Sequence, residues 1–282
     1  MGVRSMNIFE DKVAVVTGAA SGIGKALIGE LALKGAKVIA TDINREMLKQ
    51  AIKDTDRSKH PIKDAQLDVS DYDAFRKVMD DTISREGRLD YIFNNAGIGI
   101  GGEVRDQEIE HWRKVMNVNL YGVIHGSILA YKIMAKQGFG HIVNISSLEG
   151  LMPFPATVPY VTSKFGVIGL SQGMWVEGTD LGIKVSVVCP GYVKTPIFEI
   201  SELVNADRQE TLKSLSKLEI FSVSPEECAR IILRGVAKNK PIILVSGLVK
   251  FLWLLVRISP ILVMNIVRKD FAKIRDKARI AA

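Results

Sequence analysis

The sequence predicts a single doubly wound α/β domain, a parallel seven-stranded sheet with helices on both faces. Two observations predict it. Short runs rich in β-branched residues alternate with helix-length segments along most of the chain. Those runs are nearly continuous in apolar character, as strands covered on both faces should be. Alternation of this kind implies parallel pairing through right-handed crossovers.

The elements follow in order. Lys12–Thr17, Lys37–Asp42, Leu89–Asn94, His141–Ser146 and Lys184–Cys189 read as strands, and Ile62–Val69 and Pro241–Val245 complete the seven. Helices are expected near 22–35, 44–56, 71–86, 106–136 and 157–180. With 282 residues, 47% hydrophobic and 24% charged, the chain can bury a real core. No repeat, low-complexity tract or Pro/Ser-rich linker divides it.

Composition also excludes several classes. The stretch Met1–Asp11 has no apolar core for a secretory signal, and Met6 stands where a myristoylation signal needs Ser or Thr. Cys189 and Cys228 are too few and too far apart for a metal knuckle or a disulfide framework. They are expected as buried free thiols in a reducing cytoplasm, and no metal is expected. The net charge is +7, but +6 of it lies beyond Lys240; the body before carries 30 basic and 29 acidic residues. Such a body lacks the basic face that nucleic acid requires.

The first strand runs into Thr17-Gly18-Ala19-Ala20-Ser21-Gly22-Ile23-Gly24 and then a helix. Gly18 can turn with positive φ, Gly22 can let backbone approach a pyrophosphate, and Gly24 can let helix and strand pack closely. The helix N-terminus offers unpaired N–H groups and partial positive charge to phosphates. Asp42 ends the second strand, 18 residues beyond Gly24. A carboxylate there can accept the ribose hydroxyls and repel a 2′-phosphate. Ser21 rather than a cation precedes Gly22, and Ile43 follows Asp42, so NAD is the expected cofactor. This makes residues 1–246 a dinucleotide-binding and catalytic unit, with 247–282 a hydrophobic, basic helical extension.

Tyr160 and Lys164 stand four apart, on one face of a helix. A phenol with a pKa of about 10 is a poor base at neutral pH. An ammonium and a positive nicotinamide ring nearby would both favour phenolate and make Tyr160 an acid/base.

With these come Asn94-Asn95-Ala96-Gly97, Asn119-Leu120-Tyr121-Gly122, Ser146-Ser147 and Pro190-Gly191-Tyr192-Val193-Lys194-Thr195. In that order, from about residue 10 to 197, the chain resembles the short-chain dehydrogenase/reductase family, whose fold is of the Rossmann type. The resemblance implies Tyr160 as acid/base, with Lys164 lowering its pKa and holding the nicotinamide ribose. It implies Ser147, thirteen residues before Tyr160, as the hydrogen-bond partner of the substrate oxygen in preference to Ser146. Asn119 would anchor a water that links Lys164 to solvent. Asn95, Ala96 and Gly97 would line the adenine and ribose side, and Asp68 and Val69 would meet the adenine. Pro190, Gly191, Val193 and Thr195 would bracket the nicotinamide amide and pyrophosphate. A homodimer or homotetramer is expected.

Substrate contacts should come from loops 98–102, 148–159 and 197–223, at the carboxyl ends of strands. Ile98, Ile100 and the run LEGLMPFPATVP suggest an apolar lining, hence a lipophilic secondary alcohol or ketone. Residues 242–267 are long and apolar enough to raise a membrane span, but Lys250, Arg257, Asn265 and Pro260 interrupt them. On one continuous helix Lys250, Arg257, Arg268 and Arg275 would form a single stripe. Such a helix could cover the cleft, contact another subunit or lie peripherally on a membrane. A catalytically idle NAD-binding sensor or scaffold is the alternative function, and it would require the loss of a catalytic position.

Overall fold

The computed structural model describes residues 7–55, 59–216 and 219–278. Met6 and the rest of 1–6, residues 217–218 of the third substrate loop, and Arg279 lie outside the described residues. The first half of the fold comprises β1 (Val13–Thr17), α1 (Gly22–Leu33), β2 (Lys37–Asp42), α2 (Arg45–Thr55), β3 (Lys63–Gln66), α3 (Tyr72–Glu86) and β4 (Tyr91–Asn94). After the short β5 (Ile100–Gly101) come α4 (Ile109–Met116), α5 (Gly122–Gln137), β6 (Gly140–Ile145), α6 (Val158–Gly178) and β7 (Ile183–Cys189). The remainder is α7 (Ile197–Ile200), β8 (Glu202–Leu203), α8 (Arg208–Ser216), α9 (Pro225–Ala237), β9 (Ile242–Leu244), α10 (Gly247–Ile258) and α11 (Pro260–Ala278).

The main sheet is parallel and seven-stranded, in the order β3-β2-β1-β4-β6-β7-β9. Successive side chains of each strand enter opposite cores. Ala14 and Val16 of β1 meet Leu27, Ile28 and Leu31 of α1 and Ile232 and Leu233 of α9. Val13 and Val15 meet Phe75 and Met79 of α3 and Leu129 and Met134 of α5. Each face of the central strands is thus buried under helices, which is why β1 and β4 are buried along their whole length, whereas β3, Lys63-Asp64-Ala65-Gln66, is largely exposed. The strand order turns outward in both directions from the β1–β4 pair, and a crevice opens beyond their carboxyl ends.

Several expected boundaries shift for physical reasons. β3 covers only Lys63–Gln66, because it is an edge strand paired to β2 alone. β4 begins two residues after Leu89, whose N–H is taken by the Gln137 side chain at 2.9 Å. The expected helix 106–136 is divided into α4 and α5 by a π-helical turn at Asn117–Tyr121. α9 lay outside the expected elements, although Ser224 caps it by accepting Glu227 N–H at 3.1 Å and Pro225 opens it.

The extension is not one helix. Ser259 leaves the helical conformation before Pro260, as residues preceding proline do, and α10 and α11 meet at 118°. The single basic stripe is therefore broken, with Lys250 and Arg257 on one helix and Arg268 and Arg275 on the other. Among the described residues no single helix is long and apolar enough to cross a membrane.

Candidate active site

The glycine loop is held by its neighbours before any ligand is considered. Gly18 has φ +64°, and a Cβ there would stand 2.7 Å from Ala96 Cα. A Cβ on Gly24 would stand 2.0 Å from the Gly18 carbonyl oxygen. The Asn95 side chain donates to Thr17 O at 3.0 Å and to Gly18 O at 3.1 Å. Thr17 Oγ1 in turn accepts from the N–H groups of Asn95 and Ala96. Asn95 therefore latches the loop, a structural use beyond the contact expected of it.

The same loop fits a dinucleotide. No side chain caps α1, since Ser21 makes no cap hydrogen bond, so the amides around Ile23 are open to an anion. A Cβ on Gly22 would meet Thr195 Cγ2 at 2.9 Å, which sets the two expected phosphate-side segments against each other. Asp42 accepts from Ala20 N at 3.0 Å and Asn44 N at 2.9 Å, which aims its carboxylate beside the loop. Asp68 is exposed and ties to Ser70, while Val69 is buried and packs where a Gly122 Cβ would be.

The catalytic candidates converge from four elements. Ser147, just past β6, lies close enough to the Tyr160 phenol to oppose the rise in its pKa, and it accepts Glu149 N–H at 3.1 Å. Ser146 is buried and donates its hydroxyl to the Lys164 carbonyl at 2.8 Å, which leaves Ser147 as the serine facing the phenol. Lys164 is buried; its Nζ donates to Ile145 O at 3.0 Å and lies 5.3 Å from the Tyr160 ring centroid. Gly97 passes above it, and a Cβ there would be 3.6 Å from Nζ. Asn119 sits in the π turn, a helix distortion that often accompanies functional sites. Its carboxamide is spent on Ile98, accepting from N at 2.8 Å and donating to O at 2.9 Å. Its side chain is thus a clamp on the loop after β4.

Electrostatics here differ from the simplest expectation. Burial first, then the Glu149 carboxylate, push the Tyr160 phenol above its ordinary value, and only the Ser147 hydrogen bond opposes them. Burial lowers Lys164 to about 8, against the opposing pull of Glu149. Glu149 itself is raised to about 7 by burial, although Thr157 Oγ1 donates to it at 2.7 Å. Sequence reasoning passed over Glu149. Its one available signal was an acid two residues after Ser147 in an otherwise apolar loop. Behind the site, Asn94 donates to Asn144 at 2.8 Å and Asn144 to Ser171 at 3.0 Å, tying β4 and β6 to α6.

The three expected substrate loops do meet. Gly102 N donates to Ala156 O at 2.8 Å, and β5 pairs with β8. An open cleft runs between the stacked rings of Tyr192 and Phe198 and the helix carrying Leu212 and Ser216. The apolar lining needs correction. Ile100, Leu148 and Met152 are buried in the core, whereas Ile98, Leu151, Phe154 and Val158 are among the residues of that set that remain half-buried. Pro190 accepts from Leu148 N at 2.7 Å, and Val193 is buried beside Val223. Gly191 is covered by the extension, since a Cβ there would meet Val249 Cγ2 at 2.9 Å.

Fold and site together define a nicotinamide-dependent oxidoreductase of alcohols and ketones. Residues 12–203 match the family model described as short chain dehydrogenase, and the chain belongs to the short-chain dehydrogenase/reductase family. It is 38% identical over 224 residues to 3-oxoacyl-(acyl-carrier-protein) reductase FabG of Thermotoga maritima, covering 79% of this chain and 89% of that one. It is 41% identical over 202 residues to the NAD(+) 15-hydroxyprostaglandin dehydrogenase of Rattus norvegicus, covering 68% and 71%. Its fold superposes on a short-chain dehydrogenase/reductase of Burkholderia phymatum, solved with NAD, at a TM-score of 0.80 and 25% identity over 87% of this chain and 92% of that one.

Proposed function

We propose that this enzyme oxidises a lipophilic secondary alcohol, or reduces the matching ketone, with NAD(H) and with Tyr160 as acid/base. The observation that carries this is the convergence of Ser147 and a buried Lys164 on the Tyr160 phenol, with Ser146 tied away to the Lys164 carbonyl. The bound nicotinamide supplies the hydride acceptor or donor and, when oxidised, a positive charge. In oxidation, Tyr160 Oη takes the hydroxyl proton while Ser147 Oγ holds the same oxygen; in reduction Tyr160 returns it. Lys164, 5.3 Å from the Tyr160 ring centroid, would hold the nicotinamide ribose, and the positive charge of the oxidised ring would then favour the phenolate. The Asn119 carboxamide is held on both sides of Ile98, which fixes Asn119 beside the loop that passes Lys164.

NAD is preferred because the Asp42 carboxylate would meet a 2′-phosphate while Ser21 and Ile43 offer it no cation. The lipophilic preference rests on Ile98, Leu151 and Phe154, and on loops 98–102 and 148–159 that carry no cation. Phe165, Trp175 and Val176, large side chains exposed on α6, support a homodimer or homotetramer. The buried free thiols Cys189 and Cys228 support a cytoplasmic setting, peripheral to a membrane at most. A panel of secondary alcohols and ketones assayed with NAD and NADP in parallel tests this reading. Turnover that improves with substrate lipophilicity and prefers NAD is expected, and a strict NADP requirement would refute the cofactor assignment.

A further inference from the structure

The C-terminal elbow has two unlike sides. Its inner side belongs to the body: Val249 and Val263 are buried with Leu148, Met152 and Cys189, and Leu252, Leu255 and Val256 pack against them. Arg275 pairs with Glu103 at 3.3 Å, which fastens the far end of α11 beside the substrate loops. The outer side is apolar and uncovered. Phe251, Leu254 and Ile258 are 60%, 54% and 73% exposed, and they share one face of α10 at spacings of three and four. Ile261, just past the break, is 71% exposed, and Leu262 and Met264 are exposed with it.

Cations border this face. Lys250 and Arg257 are exposed one helix position from it, and Arg257 lies over the Trp253 ring at 4.9 Å. Exposed Arg268 and Lys269 follow on α11, and α10 carries no acidic residue. Apolar side chains at a helical elbow with a basic border match the two layers of an anionic lipid surface, acyl chains inside and headgroups around. A second copy fits less well. Two-fold pairing of this face with itself would oppose Lys250 and Arg257 to their own symmetry mates.

We propose that the outer face of the α10–α11 elbow docks on an anionic lipid bilayer, peripherally and without spanning it. Because the inner side of the same helices packs against loop 148–159, docking brings the substrate loops to the lipid surface. This assignment stands on the elbow alone and does not depend on the substrate reading.

The test uses the full-length enzyme with phosphatidylcholine vesicles containing roughly one-third phosphatidylserine, and with phosphatidylcholine vesicles alone, co-sedimented at low and high salt. The wild type should pellet with the anionic vesicles at low salt and be released by high salt. Lys250→Glu with Arg257→Glu should weaken partition about tenfold or more. Phe251→Glu with Leu254→Glu should abolish it. Both variants should keep oxidation of a water-soluble alcohol and the wild-type mass in vesicle-free solution. A wild type that stays in the supernatant at low salt, or binds neutral vesicles equally well, overturns the proposal. A changed oligomeric mass in either variant without lipid also overturns it, because the face would then be a subunit contact. Should a variant lose its soluble activity, the lipid and salt dependence of the wild type still decides.

Discussion

The cofactor half and the substrate half of this enzyme are specified in different ways. Around the glycine loop nearly every group is fixed by backbone-scale contacts: Asn95 on Thr17 and Gly18, Asp42 on Ala20, and Gly24 against the Gly18 carbonyl. On the substrate side the loops meet through a backbone hydrogen bond from Gly102 N–H to Ala156 O, a two-residue strand pair and a C-terminal helix resting on Gly191. The first arrangement tolerates little change because its neighbours are main chain. The second is assembled from distant segments whose side chains can vary, so specificity can change while the dinucleotide stays in place.

The sharpest break in that comparison is Gly24→Ala. Its Cβ would sit 2.0 Å from a backbone oxygen that cannot yield, so we expect a loss of stability of about 3 kcal/mol and of cofactor binding with it. Gly169→Ala on α6, where an added Cβ meets nothing within 4 Å, should stabilise by roughly 0.5 kcal/mol. Denaturant unfolding of both measures the contrast, and equal effects would erase it.

Asp42→Asn tests the cofactor half more gently, since an amide oxygen can still accept the Ala20 N–H. Loss of charge should move the NAD/NADP ratio of kcat/KM towards NADP by about tenfold, the worth of roughly 1.4 kcal/mol. An unmoved ratio would mean that Asp42 serves the loop only.

Glu149→Gln probes the substrate half and should act on pH rather than on the fold. The Glu149 anion raises the Tyr160 phenol, so removing its charge should lower the phenol's pKa. Oxidation needs phenolate, and its rate therefore rises with pH up to that value. The rising limb should move to lower pH by roughly half a unit in the variant. A limb that stays or moves upward would place Glu149 outside the electrostatics of Tyr160.

What could be read in the sequence follows the same division. The glycine loop, Asp42 and the Tyr160–Lys164 spacing are local patterns, so a linear reading finds them and the structure sets them around one crevice. Glu149 was passed over because its importance comes from burial, which spacing does not report. Ile100, Leu148 and Met152 read as cleft lining, yet the folded chain turns them into core. Ser146 and Ser147 are equivalent as letters; a hydrogen bond to the Lys164 carbonyl separates them. α9 was legible from Ser224-Pro225-Glu226-Glu227. The break at Ser259-Pro260 was legible as well, and a stripe drawn across it joined residues that two helices hold apart.

In the proposed mechanism Tyr160 moves the proton, while NAD is held chiefly by the glycine loop, Asp42 and Lys164. Measuring NAD affinity and turnover of a good secondary alcohol side by side, in wild type and Tyr160→Phe, tests it most directly. The account predicts nearly unchanged NAD binding and turnover reduced by about 10² or more. A Tyr160→Phe enzyme that turns over that alcohol at the wild-type rate would contradict it.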